Sequence, residues 1–194
     1  MRKADEIISG AIRESVDLKE ALFAGHRERI LRIAETVFDA VKSGGKVMIC
    51  GNGGSAADSQ HMAAEFVGRY KLERRPLPAI ALTTDTSALS CIANDYSFED
   101  VFMRQTEALA RAGDVLIGIS TSGKSKNVEK AIFAAKKIGC TSIALLGQDG
   151  GSIAAAADIS LIVPSKNTAR IQEAHILIIH IICEIIDECF LVEG

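Results

Sequence analysis

The sequence predicts an α/β protein: a five-stranded parallel sheet covered by helices on both faces, a three-layer αβα sandwich. Three observations predict it. Five short apolar runs alternate with helical patterns after residue 45, two of those runs lead into similar small-residue turns, and the first 45 residues show helical spacing only.

Near the start, Ile7, Ile8, Ala11 and Ile12, then Ile30, Ile33, Ala34, Val37, Phe38 and Val41, recur at helical spacing and read as two helices ended by Gly44-Gly45. Strands follow at 47–50, 79–82, 115–119, 142–146 and 159–163, short enough and apolar enough to be buried on both faces. Pro164-Ser165 then leads into a last helix over about 168–191. That helix is apolar nearly all round, which a chain of 194 residues would struggle to bury alone, so self-association is expected. One domain is expected over 1–194, with 1–45 as N-terminal helices that serve oligomerisation and 46–194 as the sandwich.

Composition narrows the function classes. The net charge is −3, from 22 basic and 25 acidic residues, and the longest basic stretch, Lys71 to Arg75, reads as a solvated loop; no nucleic-acid footprint is present. Five cysteines, odd in number and without a CxxC, indicate neither a disulfide framework nor a thiolate zinc site and fit a reduced, cytoplasmic setting. The N-terminal residues lack an apolar signal core, and the densest apolar run, 176–186, is broken by His180 and Glu184, so no membrane association is expected.

The two similar units are 44–55 and 112–123, each a strand, a small-residue turn and a helix start. In a doubly wound sheet such turns meet at the carboxyl edge where the winding reverses, and ligands bind there. Gly51, Asn52, Gly53, Gly54 and Ser55 make a turn whose backbone N–H groups, with the positive end of the following helix dipole, favour an anion. Gly51-x-Gly53-x-x-Ala56 also matches a dinucleotide turn, but the only fair acidic partner, Asp85, stands well beyond the usual spacing. Ser120-Thr121-Ser122-Gly123-Lys124-Ser125 adds four hydroxyls, which suits a phosphate monoester. With Gly118 the second turn formally matches GxxxxGK[ST]; Gly118, however, falls inside the apolar run, no acidic Walker B partner follows, and no nucleotide is expected. The plainer alternative makes both turns ordinary helix starts capped by Ser55 and Ser122.

His61 and Glu65 stand i,i+4 on one helical face, two to three turns beyond the first loop. The last helix adds Gln172, Glu173, His175 and His180 among Ile, Leu, Ala and Cys, where an unpartnered polar group is costly. His61, Glu65, Gln172 and His180 offer N and O donors for a divalent metal, although Gln172 and His180 lie about 12 Å apart along an ideal helix.

Taken together, Cys50-Gly51-Asn52-Gly53-Gly54-Ser55, His61 with Glu65, Pro78-Ala79-Ile80-Ala81-Leu82, Asn94-Asp95, the stretch from Gly113 to Gly123, and Arg170-Ile171-Gln172-Glu173-x-His175 followed by His180 resemble the SIS (sugar isomerase) domain, and within it the sedoheptulose 7-phosphate isomerases. The resemblance covers essentially the whole chain. It implies a flavodoxin-like sandwich, a homotetramer with sites between subunits, and conversion of sedoheptulose 7-phosphate to D-glycero-D-manno-heptose 7-phosphate, the first step towards surface-glycan heptose. It implies sugar-phosphate contacts from Asn52, Gly53, Gly54, Ser55, Glu65, Asn94, Asp95, Ser120, Thr121, Ser122, Ser125 and Gln172, with Glu65 and His180 as acid–base groups. It also implies one zinc per subunit on His61, Glu65, Gln172 and His180. Lys124 and Lys126 are less usual for the family and are expected to be exposed. A different isomerase of the same fold, acting on another ketose phosphate, would carry the same phosphate loop. A non-catalytic relative, a tetrameric adaptor for the replication initiator, is similar through much of its length but lacks the Glu and His that stand here at 65 and 180. Sugar-phosphate-sensing regulators attach a helix-turn-helix domain, for which this sequence has no segment.

Overall fold

The computed structural model describes residues 1–192. A long helix α1 (Arg2–Lys42) precedes β1 (Val47–Gly51), α2 (Gly54–Val67), β2 (Ala79–Ala81), α3 (Thr86–Asp95), a 3-10 turn and α4 (Val101–Leu109). The chain continues through β3 (Val115–Ser120), α5 (Lys126–Ile138), β4 (Thr141–Gly147), the short α6 (Ile153–Ala156), β5 (Ile159–Val163) and α7 (Thr168–Val192).

All four strand pairings are parallel and the order is β2-β1-β3-β4-β5. This is the flavodoxin-like order, with the winding reversed between β1 and β3. Alternation along each strand sorts the core into two layers. Val47, Ile49, Val115, Ile117, Ile119, Ile143 and Leu145 pack under α1, α2 and α7, while Met48, Cys50, Leu116, Ala144 and Leu146 pack under α4, α5 and α6. The five expected strands and the two covered faces are all present, with ends shifted by a residue or so.

The first 45 residues differ from expectation in one respect: the two helices are a single one, Arg2–Lys42. The two apolar stretches are joined by good helix formers without a proline, and Gly10 and Gly25 each weaken the helix by only about 1 kcal/mol, too little to break it. At 1.5 Å per residue α1 is about 60 Å long, more than the sheet can cover. Its second half buries Ile30, Ile33, Val37 and Val41, whereas Ile7, Ile8, Ile12, Val16 and Phe23 are exposed. The burial expectation for the last helix is redistributed accordingly. No apolar residue of α7 from Ile171 to Phe190 is exposed, because α1 and α2 cover the sides that the sheet leaves open. The densest run of exposed apolar residues, Ile7, Ile8, Ile12, Val16 and Phe23, belongs to α1.

Gly118 has a packing role. It lies inside β3, paired with Cys50 and Ala144, and a Cβ there would stand 2.7 Å from Val128 Cγ1. The glycine serves close approach of α5 to the sheet rather than a phosphate loop. Asp85 accepts the Ala88 N–H at 2.9 Å and caps α3.

Candidate active site

The loops after β1 and β3 meet across the switch point. Asn52 Nδ2 donates to Asn127 Oδ1 and Asn127 Nδ2 donates back to Asn52 Oδ1, both at 2.9 Å. Sequence reading missed Asn127, since a single Asn in the first turn of a helix carries no periodic signal.

The first loop depends on glycine. Gly53 has φ +55° and ψ −120°, a region open essentially to glycine, and a Cβ on Gly54 would collide with the Gln172 amide. The N-cap residues of α2 and α5, Gly53 and Ser125, make no side-chain cap bond, although Ser55, Ala56 and Ala57 N–H bond to loop carbonyls and Val128 N–H bonds to Asn127 Oδ1, so the anion-favouring character of these turns rests on the positive ends of the two helix dipoles. Ser55 is buried in the first turn of α2, where its carbonyl accepts from Ser59 Oγ, and Ser122 Oγ accepts the Lys124 N–H inside the loop; neither serine is a helix cap. In the second loop Ser120 Oγ accepts the Gly123 N–H at 3.1 Å and stands 2.9 Å from Ser125 Oγ, with Thr121 between the loop's ends half-buried. Lys124 and Lys126 are turned outward to Asp149 and Glu129 and are well exposed, as expected.

The second cluster lies farther along α2, where it meets α7. His61 Nε2 is 3.0 Å from Glu65 Oε1 and 3.3 Å from His180 Nε2, and Tyr70 stacks on the His180 ring at 5.3 Å. His180 thus has the partners that its apolar helix demands. Behind His61, Asp58 keeps one carboxylate oxygen buried and unpaired, and burial pushes its pKa up to about 6 against the opposing pull of His61. Asp58 and Tyr70 were not legible from spacing.

The structure brings together three of the four expected metal-binding residues. Gln172 stands eight residues before His180, at the first loop, where its amide faces Gly54. His61 Nε2 carries at most one hydrogen, which it can share between Glu65 and His180. The separations of His61 Nε2 from Glu65 Oε1 and His180 Nε2 are close to the roughly 3.3 Å between tetrahedral neighbours on bonds of about 2.0–2.1 Å. Among the described residues, however, no group of three or more His, Cys, Asp or Glu side chains is arranged to hold a metal ion. Asn94 and Asp95 pair with each other at the exposed end of α3, and their bonds, including one from Cys91 Sγ, stay within that helix.

His175 belongs to the core. Its Nε2 donates to the Leu146 carbonyl at 3.0 Å, Nδ1 has no partner, and burial lowers its pKa to about 4. Between pH 6.5 and 4 the unfolded chain therefore binds more protons at this residue than the folded one. Its contribution to stability is full above pH 6.5 and falls by up to about 3 kcal/mol as the pH drops to 4. Urea unfolding of His175→Gln across that range is expected to lack this part of the acid slope.

Comparison with known proteins places the geometry. A family model described as the SIS domain matches residues 12–147. Curated phosphoheptose isomerases include those of Geobacter sulfurreducens, 54% identical over 93% of this chain and 96% of that one, and Clostridium acetobutylicum, 53% identical over 93% of each. Among solved structures, phosphoheptose isomerase GmhA from Neisseria gonorrhoeae superposes with a TM-score of 0.91 at 48% identity, covering 95% of this chain and 99% of that one. The Francisella tularensis phosphoheptose isomerase does so with a TM-score of 0.92 at 38% identity, covering 97% and 100%.

Proposed function

Because the chain belongs to the SIS-domain family and, within it, to the phosphoheptose isomerases, we propose that Glu65 and His180 carry its proton transfers while the paired loops 51–55 and 120–125 hold the substrate phosphate. The activity is aldose–ketose isomerisation, sedoheptulose 7-phosphate giving D-glycero-D-manno-heptose 7-phosphate in heptose biosynthesis. The observation that carries the residue assignment is the meeting of Glu65, His61 and His180 on two helices whose other ends frame the anion loops.

In the ketose the carbonyl is at C2. A base removes a C1 proton to give an enediol, a proton moves between the oxygens on C1 and C2, and a proton is returned to C2. Glu65 is assigned the carbon proton and His180 the oxygen proton, with His61 orienting the Glu65 carboxylate through their 3.0 Å contact. Zinc held by His61, Glu65 and His180 would supply an electrophile that polarises the carbonyl. Gln172, with its amide at Gly54, is assigned to the sugar rather than to the metal.

Eleven residues of α2 separate Gly54 from Glu65, about 16 Å along the axis, more than an extended seven-carbon chain spans. That span supports a site completed by a neighbouring subunit of a homotetramer. The exposed apolar residues of α1 supply the surface for such assembly, and Asn94 and Asp95, free of both loops, are assigned to substrate across it. No helix among the described residues is long and apolar enough to cross a membrane, which accords with a cytoplasmic enzyme making heptose for surface glycans.

Incubation with sedoheptulose 7-phosphate and zinc, read by NMR, should yield the aldose; absence of turnover would favour a non-catalytic SIS scaffold. Chelation is expected to abolish turnover and zinc to restore it, whereas full activity in rigorously metal-free protein would remove the metal from the chemistry.

A further inference from the structure

The segment 68–78 joins α2 to β2, and its basic residues read from sequence as a solvated loop. The structure corrects that reading for Arg74, whose side chain is 3% exposed and faces Asp187, which is 0% exposed. Arg74 Nε donates to Asp187 Oδ1 at 2.7 Å. Its Nη2 donates to the Glu65 carbonyl at 2.8 Å and its Nη1 to the Phe66 carbonyl at 2.9 Å. The other oxygen of Asp187 accepts the N–H groups of Lys71 and Leu72 at 2.8 and 3.0 Å. Burial alone would raise the Asp187 pKa, but those two N–H groups and Arg74 hold it below the usual carboxylate range.

The guanidinium therefore closes the C-terminal end of α2, where carbonyls lack helical partners and the dipole is negative. Asp187 fastens that end to α7. Two facts tie this to the chemistry. One of the carbonyls it grips belongs to Glu65 itself, and His180 stands seven residues before Asp187, two turns back on the same side of α7. From the same loop Tyr70 stacks on His180.

We propose that the Arg74–Asp187 pair is a positioning device for the acid–base pair: by gripping the Glu65 backbone and α7 together, it sets where the Glu65 carboxylate stands relative to the His180 ring. The pair touches no substrate and acts through Glu65 and His180, so this inference rests on the roles given to them above. Stability alone does not call for an ion pair here, because well-packed apolar residues commonly replace a buried pair without loss. A guanidinium can hold one carboxylate and two carbonyls in fixed directions; an ammonium cannot reproduce that planar fork.

The test uses the full-length zinc-loaded protein. Arg74→Lys keeps the charge and loses the fork. It is expected to lower kcat on the order of 10²-fold, the cost of a misplacement of about 1 Å. KM is expected to stay within about twofold, because the phosphate loops lie at the other end of α2. Should Arg74→Lys fail to fold, the double variant Arg74→Met with Asp187→Leu supplies the reading: thermal stability near wild type with kcat still low upholds positioning. Wild-type kcat in Arg74→Lys, or kcat recovered with stability in the double variant, would overturn it. The ring 15N resonances of His61 and His180 separate this inference from the function. If wild type does not isomerise the substrate, the enzyme assignment fails, and displaced ring signals in Arg74→Lys would still uphold the clamp, whereas unmoved signals would refute it.

Discussion

Glu65→Gln is expected to lower kcat on the order of 10³-fold while leaving KM for sedoheptulose 7-phosphate nearly unchanged, within the range general-base removal produces. The amide is isosteric with the carboxylate and keeps an oxygen that can accept from His61 Nε2, which stands 3.0 Å away, so the α2–α7 junction is preserved. What it cannot do is take a proton from carbon. Exchange of the substrate C1 hydrogen with deuterium oxide measures that step directly, and it should vanish in the variant. Exchange at the wild-type rate would take the base role from Glu65 and leave it as a ligand or an orienting group. A parallel zinc titration separates the two losses: unchanged zinc content with no exchange identifies the missing base.

Gly123→Ala is expected to be the most damaging single methyl in the phosphate loop. Gly123 has φ +67°, and a Cβ there would strike the backbone of Gly150 and Gly151, which cannot step aside as a flexible side chain could. Left-handed strain and overpacking each cost about 1–3 kcal/mol, so a loss of about 3 kcal/mol or more is expected in urea unfolding. Because Ser120 Oγ holds the Gly123 N–H, the displaced glycine also unseats the Ser120 and Ser125 hydroxyls, and KM should rise in the folded fraction. This is the opposite kinetic signature from Glu65→Gln. An unchanged KM would detach loop 120–125 from phosphate binding.

Legibility followed the range of the interactions. Strands β1, β3 and β4 were readable because burial on both faces forces nearly uninterrupted apolar runs, β5 because alternate residues are buried, and the two glycine and serine turns because their backbone geometry demands small residues in consecutive positions. The single N-terminal helix was misjudged as two because apolar periodicity fades where α1 runs past the sheet, although the backbone there has no reason to stop. Arg74 was misjudged because a basic run looks solvated until its partner, 113 residues away, is brought against it.

By itself, then, the sequence determined the α/β class and the two loops that face each other at the switch point, while Glu65, His61 and His180 stood out through the family resemblance. Local rules carry the class and the loops: period, turn chemistry and residue type. Only the tertiary structure decided that His61 and His180 face each other at 3.3 Å while Gln172 stands at Gly54, that Asn127 locks the two loops, and that Asp85 and Gly118 are architectural. Those outcomes depend on how α2, α5 and α7 lie against one sheet, and a distance between two helices is set by everything packed between them.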